Sequence, residues 1–193
     1  MTRIARVLLI AFFSAALTLC VANAQQTNPE SSKSAMSKTS AATTATDTKF
    51  LRTVARADLA EVELGRLAEQ KATNPEVKQF AQRMIHDHTQ NRDQLKQVAA
   101  EQHVTLPDTI SPKDKATKDS LEKLSGAEFD KAYMSDMLKD HRTDVAEVEH
   151  ASKTAHNPAV KTFAEQTLPV LESHLKEAEK VAPQAGATQS ASR

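Results

Sequence analysis

Residues 74–98, NPEVKQFAQRMIHDHTQNRDQLKQV, decide the fold. Asn74 is a good N-cap, and Pro75 takes the first helical position, where a missing N–H costs nothing. Val77, Phe80, Ala81, Met84, Ile85, Leu95 and Val98 then recur at helical spacing and predict an amphipathic helix to about Glu101. His88 and Asn91 interrupt that stripe from inside, where leucine or alanine is expected. The same opening returns 83 residues later as NPAVKTFA, 157–164, and there the interrupting residue is His174.

Outward from this helix the pattern repeats. A helix from about Asp47, as N-cap, to about Ala72 carries Phe50, Val54, Ala57, Leu64 and Ala68, with Glu61 at the next expected stripe position. Residues 71–75 form a tight turn. Residues 102–126 break the pattern with Pro107, Pro112 and Gly126, and Ser111-Pro112-Lys113-Asp114 caps a short helix carrying Leu121 and Leu124. A third long helix, about 127–154, carries Phe129, Tyr133, Met137, Val148 and Ala151, interrupted by His141 and Asp144. The fourth starts at Asn157 with Val160, Phe163, Thr167, Val170, Ala178 and Val181. Pro169 inside it predicts a kink and a freed Glu165 carbonyl. No segment has the β-branched alternation of a strand.

Four helices of roughly 25 residues, about 38 Å each, imply an all-α four-helix bundle. Short loops make the first and second helices one antiparallel hairpin, and the third and fourth another. The long connection between the hairpins can cross the bundle's length, as ferritin-like topologies require; an up-down-up-down order also fits.

The ends read differently. Residues 1–24 look like a secretory signal: Arg3 and Arg6, an apolar run from Val7 to Val21, and a small-x-small site at Ala22-Asn23-Ala24. Cys20 inside the run invites lipidation, but Leu19 before it is larger than a lipoprotein signal wants. Residues 25–46 read as a flexible Ser/Thr-rich linker and 183–193 as a disordered tail, leaving 47–182 for the bundle. The signal holds the one cysteine, so the mature chain has no disulfide, thiol catalysis or thiolate ligand. Its charge is 23 minus 25, or −2 with neutral histidines, and no basic patch studded with aromatics suggests nucleic acid.

Antiparallel helices place residues equidistant from their turn at equal height. Glu61 lies 13 before Asn74 and His88 lies 14 after it; Asp144 lies 13 before Asn157, His141 16 before, and His174 17 after. All fall near mid-helix, so Glu61, His88, His141, Asp144 and His174 should meet inside the bundle. The simpler reading is a hydrogen-bonded network, Glu61 with His88 and Asp144 with His141 or His174. The sharper one is a metal site, since imidazole and carboxylate suit zinc, iron, copper or manganese. Di-iron carboxylate bundles use Glu-x-x-His, whereas Ile85 and Leu171 precede His88 and His174 by three. Met84 and Met137, one turn before His88 and His141, would suit Cu(I) or simply fill the core. His86, His103, His150 and His156 read as surface residues. No hydrolase or phosphate-binding signature is present, so the reading leans away from an enzyme.

The segments AEVELGRLA (60–68), VKQFAQRMIHDH (77–88) with Asn91, LSGAEFDKAYM (124–134), MLKDH (137–141) and LPVLESHL (168–175) resemble domain of unknown function family 4142. That resemblance spans about residues 47–182. It implies a ferritin-like fold and an exported location, periplasmic or secreted, with outer-membrane association at most a matter of address. It implies no activity. Three functions then stand open: a non-catalytic envelope bundle linked to stress, a metal-binding or metal-storage protein, and an adaptor for an envelope partner.

Overall fold

Both Asn-Pro openings start helices. In a computed structural model of the protein, which describes residues 42–187, Asn74 Oδ1 accepts the Glu76 N–H at 2.8 Å. Asn157 Oδ1 accepts those of Ala159 and Val160 at 2.9 and 3.3 Å. The helices are α1 (Ala45–Lys71), α2 (Pro75–Glu101), α3 (Pro112–Leu121), α4 (Gly126–Thr154) and α5 (Pro158–Val181). No strand occurs among the described residues. The expected signal at 1–24 lies outside the described residues, as does most of the expected linker.

Three local expectations are corrected. The cap of α1 is Thr44 rather than Asp47. Its hydroxyl accepts the Asp47 N–H at 3.0 Å while the Asp47 carboxylate accepts the Thr44 N–H at 3.1 Å, a reciprocal capping box that places the cap three residues earlier. The chain also stays packed beyond residue 182: Ala185 and Ala187 are buried in the core, and the Ala187 N–H bonds the Ala182 carbonyl at 2.8 Å. Alanines and a glycine carry no periodic signal, which is why that turn reads as tail. Val170, expected on the inner stripe, is exposed, and Leu171 is buried in its place. The buried series 160, 163, 164, 167, 171, 174 and 178 follows the helical period, and 170 falls beside it. Helix α5 continues as one element through Pro169.

Helix α1 packs along α2, α4 along α5, and contacts of α2 with α5 and α1 with α4 close the ring. Contacts at the two ends give the directions. At one end Asn157 Nδ2 and the Thr43 hydroxyl donate to Gln102 Oε1 at 2.6 and 2.8 Å, so α1 starts where α2 stops and α5 starts. At the other, Asp130 near the start of α4 accepts the Thr73 and Asn74 N–H groups. The connection 102–125 therefore traverses the bundle's length, and its α3 lies against α1 and α4. Gly65 lets α1 approach α2: a Cβ there would lie 2.8 Å from Ile85 Cγ1 and 3.1 Å from the Ala81 carbonyl oxygen.

The 83-residue repeat extends through the packing. Phe50, Leu51, Val77, Phe80 and Ala81 are buried, and so are Tyr133, Met134, Val160, Phe163 and Ala164, each 83 residues on. Asp47 accepts the backbone N–H groups of His156 and Asn157, both at 3.2 Å. Asp130, at 47 plus 83, accepts those of Thr73 and Asn74 at 3.1 and 2.9 Å. Each hairpin thus holds the turn of the other through an aspartate at its own start.

Helix α2 ends in strain that can be relieved. His103 follows its C-cap with φ 55°, and the Val104 N–H reaches the Ala99 carbonyl at 2.8 Å, the hydrogen bond of a left-handed helix stop. Histidine pays for a conformation glycine adopts freely. His103 is exposed and makes no side-chain bond among the described residues. His103→Gly should raise stability by about 0.5–1 kcal/mol, read as a rise in the urea midpoint at constant slope. A lowered midpoint would refute this account of the stop.

Candidate metal centre

Each histidine of the predicted cluster comes from a different place in the ring: His88 from α2, His141 from α4 and His174 from α5. All three are buried, at 3%, 0% and 1% exposure. The structure brings them together. Ring centroids are 5.8 Å apart for His88 and His141, 5.3 Å for His88 and His174, and 5.4 Å for His141 and His174. One ring nitrogen from each lies within 4.8 Å of those of the other two.

The second nitrogen of each ring is held. His141 Nδ1 lies 3.0 Å from the Met137 carbonyl oxygen, which can only accept, so Nδ1 carries the hydrogen. His174 Nε2 lies 2.7 Å from Asp87 Oδ2, and His88 Nδ1 lies 2.9 Å from Asp58 Oδ1. What remains is His88 Nε2, His141 Nε2 and His174 Nδ1, all buried and without a hydrogen-bond partner among the described residues. Carboxylates and carbonyls orienting the far nitrogen are the usual surroundings of metal-binding histidines. Tetrahedral zinc with bonds of about 2.1 Å needs its nitrogens about 3.4 Å apart, closer than the 4.8 Å within which these lie.

Electrostatics keep two of the rings neutral. Burial first, then the neighbouring histidines, push His141 down to about 3. Burial and the charge of His88 push His174 down to about 4, despite its bond to Asp87. Burial opposes a charge on His88 as well, but Asp58, with Glu61 and Asp144, outweighs it and raises that group. Asp87 is raised by burial, yet its bonds from His174, His86 and Arg83 hold it at about 2, so it stays an acceptor. Neutral imidazoles with bare lone pairs are the ligand form.

The carboxylates depart from the expected pairing. Glu61 is buried, with Oε1 3.9 Å from His141 Nδ1 and Oε2 unpartnered; it sits beside the three histidines rather than bonded to His88. Burial pushes its carboxyl up to about 8. Asp144 bonds none of the three histidines; it lines a cleft between α1 and α4 and is raised to about 7 by burial. The orienting acids are Asp58 and Asp87, which the sequence reading missed. Asn91 does point inward, its Nδ2 donating to both Asp58 oxygens at 3.1 and 3.0 Å, and the Thr167 hydroxyl donates to its Oδ1 at 2.9 Å. His86, His103, His150 and His156 are exposed, as expected. Met84 and Met137 are fully buried in the apolar cluster toward the α1–α2 turn.

Comparison places this architecture among known folds. The chain resembles the crystal structure of a DUF305 fragment from Deinococcus radiodurans, with a TM-score of 0.66 and 14% identity over 74% of this chain and 99% of that one. It also resembles a DUF305 protein from Streptomyces coelicolor, described as one thought to be secreted, with a TM-score of 0.64 and 16% identity over 75% and 94% of the two chains. No curated protein matches. No described helix is long and apolar enough to cross a membrane. Residues 32–181 match the domain of unknown function family DUF4142, and the chain belongs to it.

Proposed function

We propose that the protein is an exported metal-binding bundle that holds one divalent transition-metal ion on His88, His141 and His174. The observation that carries this reading is the set of three ring nitrogens left without partners in a buried core while their opposite nitrogens are all oriented. A purely structural network would have paired those nitrogens, because buried polar groups without partners are costly. Glu61 and Asp144 then serve the site from outside its ligand set. The helix order, with antiparallel hairpins joined by a lengthwise crossover, supports a ferritin-like arrangement. The chemistry differs from that of a di-iron bundle, since three imidazoles and no bridging carboxylate favour one ion of zinc, copper or iron type. The signal-like segment at 1–24 and the description of the Streptomyces relative support export. Storage, sensing and envelope protection are roles such a centre fits without catalysis.

The test is metal content of the untagged mature chain by elemental mass spectrometry, beside thermal melts with and without chelator. One ion per chain is expected, lost in His141→Ala. At metal concentrations of about a hundred times Kd, binding to the folded state alone adds about 2.7 kcal/mol. That should raise Tm by about 5–10 °C for a chain of this size. No ion after incubation with zinc, iron, copper and manganese, together with identical melts, would return the cluster to a structural network.

A further inference from the structure

The buried centre needs a way in: two cavities border its histidines, and a third, acidic cleft reaches Glu61 beside His141. The larger, about 540 Å³, lies between α2 and α5 and borders His88 and His174. Its charged groups are committed: Arg83 pairs with Asp87 and Glu177, and Asp87 also bonds His174. Its other walls are amides, hydroxyls and apolar side chains, so a dicationic visitor meets a guanidinium and no free carboxylate.

The acidic cleft, about 310 Å³, lies between α1 and α4 beneath the start of α3 and stops at Glu61, short of the three histidines. Asp114, Asp140, Asp144, Glu147 and Glu61 line it, against Arg56 and Lys113. Asp136, Asp140 and Asp144 are spaced i, i+4, i+8, so they form a ladder along one face of α4, a turn apart. At the inner end stands Glu61, 3% exposed, its Oε2 without a partner and its Oε1 3.9 Å from His141 Nδ1. At the outer end Lys113 places its Nζ 3.3 Å from Asp140 Oδ1 on a side chain that is 64% exposed. An exposed ammonium there occupies the position a cation would take on its way in.

We infer that the α1–α4 cleft is the passage by which a hydrated divalent cation approaches the three histidines, with Asp140 and Asp144 as steps, Glu61 beside the His141 ring as the innermost step and Lys113 as a displaceable plug. The inference rests on the three-histidine reading. Carboxylates lining a narrow, low-dielectric cleft raise the local cation concentration and the rate of capture. The carboxylates stand along the path rather than around one point, which suits transit rather than storage. Only the histidines converge closely enough to hold an ion among the described residues.

Stopped-flow loading of the metal-free mature chain with Co²⁺, followed by its visible absorption, separates the two ideas. Asp140→Asn should slow loading about threefold to tenfold and slow chelator-driven release by a similar factor, with saturation still at one ion. Lys113→Gln should speed loading, and wild-type loading should slow as salt rises, as charge steering requires. Gln94→Glu, which adds a carboxylate to the α2–α5 cleft, should change nothing. Unchanged loading in Asp140→Asn, or faster loading in Gln94→Glu, overturns the passage while leaving the centre intact. A wild type that takes up no Co²⁺ overturns the centre itself.

Discussion

Replacing Asp58 by alanine should destabilise the metal-free protein by about 3–5 kcal/mol at neutral pH, measured by urea unfolding. Asp58 is 1% exposed and serves three hydrogen bonds: one from His88 Nδ1 and two from Asn91 Nδ2. Alanine would leave a buried imidazole and a part-buried amide without acceptors, and His88 without the charge that favours its protonated form. The damage should travel, because Thr167 leans on Asn91 and the chain Thr167–Asn91–Asp58–His88 joins α5, α2 and α1. Asp58→Asn keeps the shape and one acceptor oxygen, so it should cost only about 1–2 kcal/mol. The two variants separate structure from ligation. Both remove the carboxylate that fixes His88 for an ion, so both should weaken metal binding about tenfold to a hundredfold. If Asp58→Ala cost less than about 1 kcal/mol, the network would not be holding the bundle centre. If Asp58→Asn bound metal as well as the wild type, His88 would not be a ligand.

Asp58 also marks the limit of what the sequence disclosed. The helix starts were legible because Asn-Pro is a local device, an N-cap and a proline in consecutive positions. The inward histidines were legible because each sits on an otherwise apolar stripe, and the equal-height argument placed them at one level. The same argument reaches Asp58, which lies 16 residues before Asn74 while Asn91 lies 17 after it. So does the repeat, since 58 plus 83 is 141 and 91 plus 83 is 174. Asp58 stood next to Ala57 on a helix rich in charge, and nothing local separates an inward aspartate from a solvated one. Asp87 was further out of reach. Its partner His174 lies on α5, and only the lateral packing of α2 against α5 brings them together. Glu61 lies beside His141 and Asp144 in the α1–α4 cleft, and neither makes the expected pairing. Spacing gives height along a bundle; which side of a helix meets which neighbour depends on rotations that side-chain volumes settle.

The reciprocal clasp predicts a second large effect, at the ends of the bundle instead of its middle. Asp130 is 2% exposed and accepts the Thr73 and Asn74 N–H groups and, at 2.7 Å, the Thr73 hydroxyl. Asp130→Ala should cost about 3 kcal/mol, since charge-assisted bonds contribute about 1.5–3 each and the orphaned donors sit at a helix start. Asp47→Ala should cost a similar amount by releasing His156, Asn157 and the Thr44 box. The two sites are separated by nearly the length of a 27-residue helix, about 40 Å, so the double variant should show additive losses. The two clasps are chemically matched, and Asp47 adds a pH signature. Burial raises its carboxyl, but the bonds from Thr44, His156 and Asn157 together hold it below the usual carboxylate range. A folded-state value lowered in this way contributes stability above the unfolded value of about 3.9 and loses it as pH falls through the folded one. Wild-type stability should therefore decline below about pH 4 more steeply than that of Asp47→Asn. Parallel acid profiles for the two proteins would show that Asp47 does not hold the α4–α5 turn through its charge, and a loss in the double variant well short of the sum would show that the two hairpins already separate when one clasp is gone.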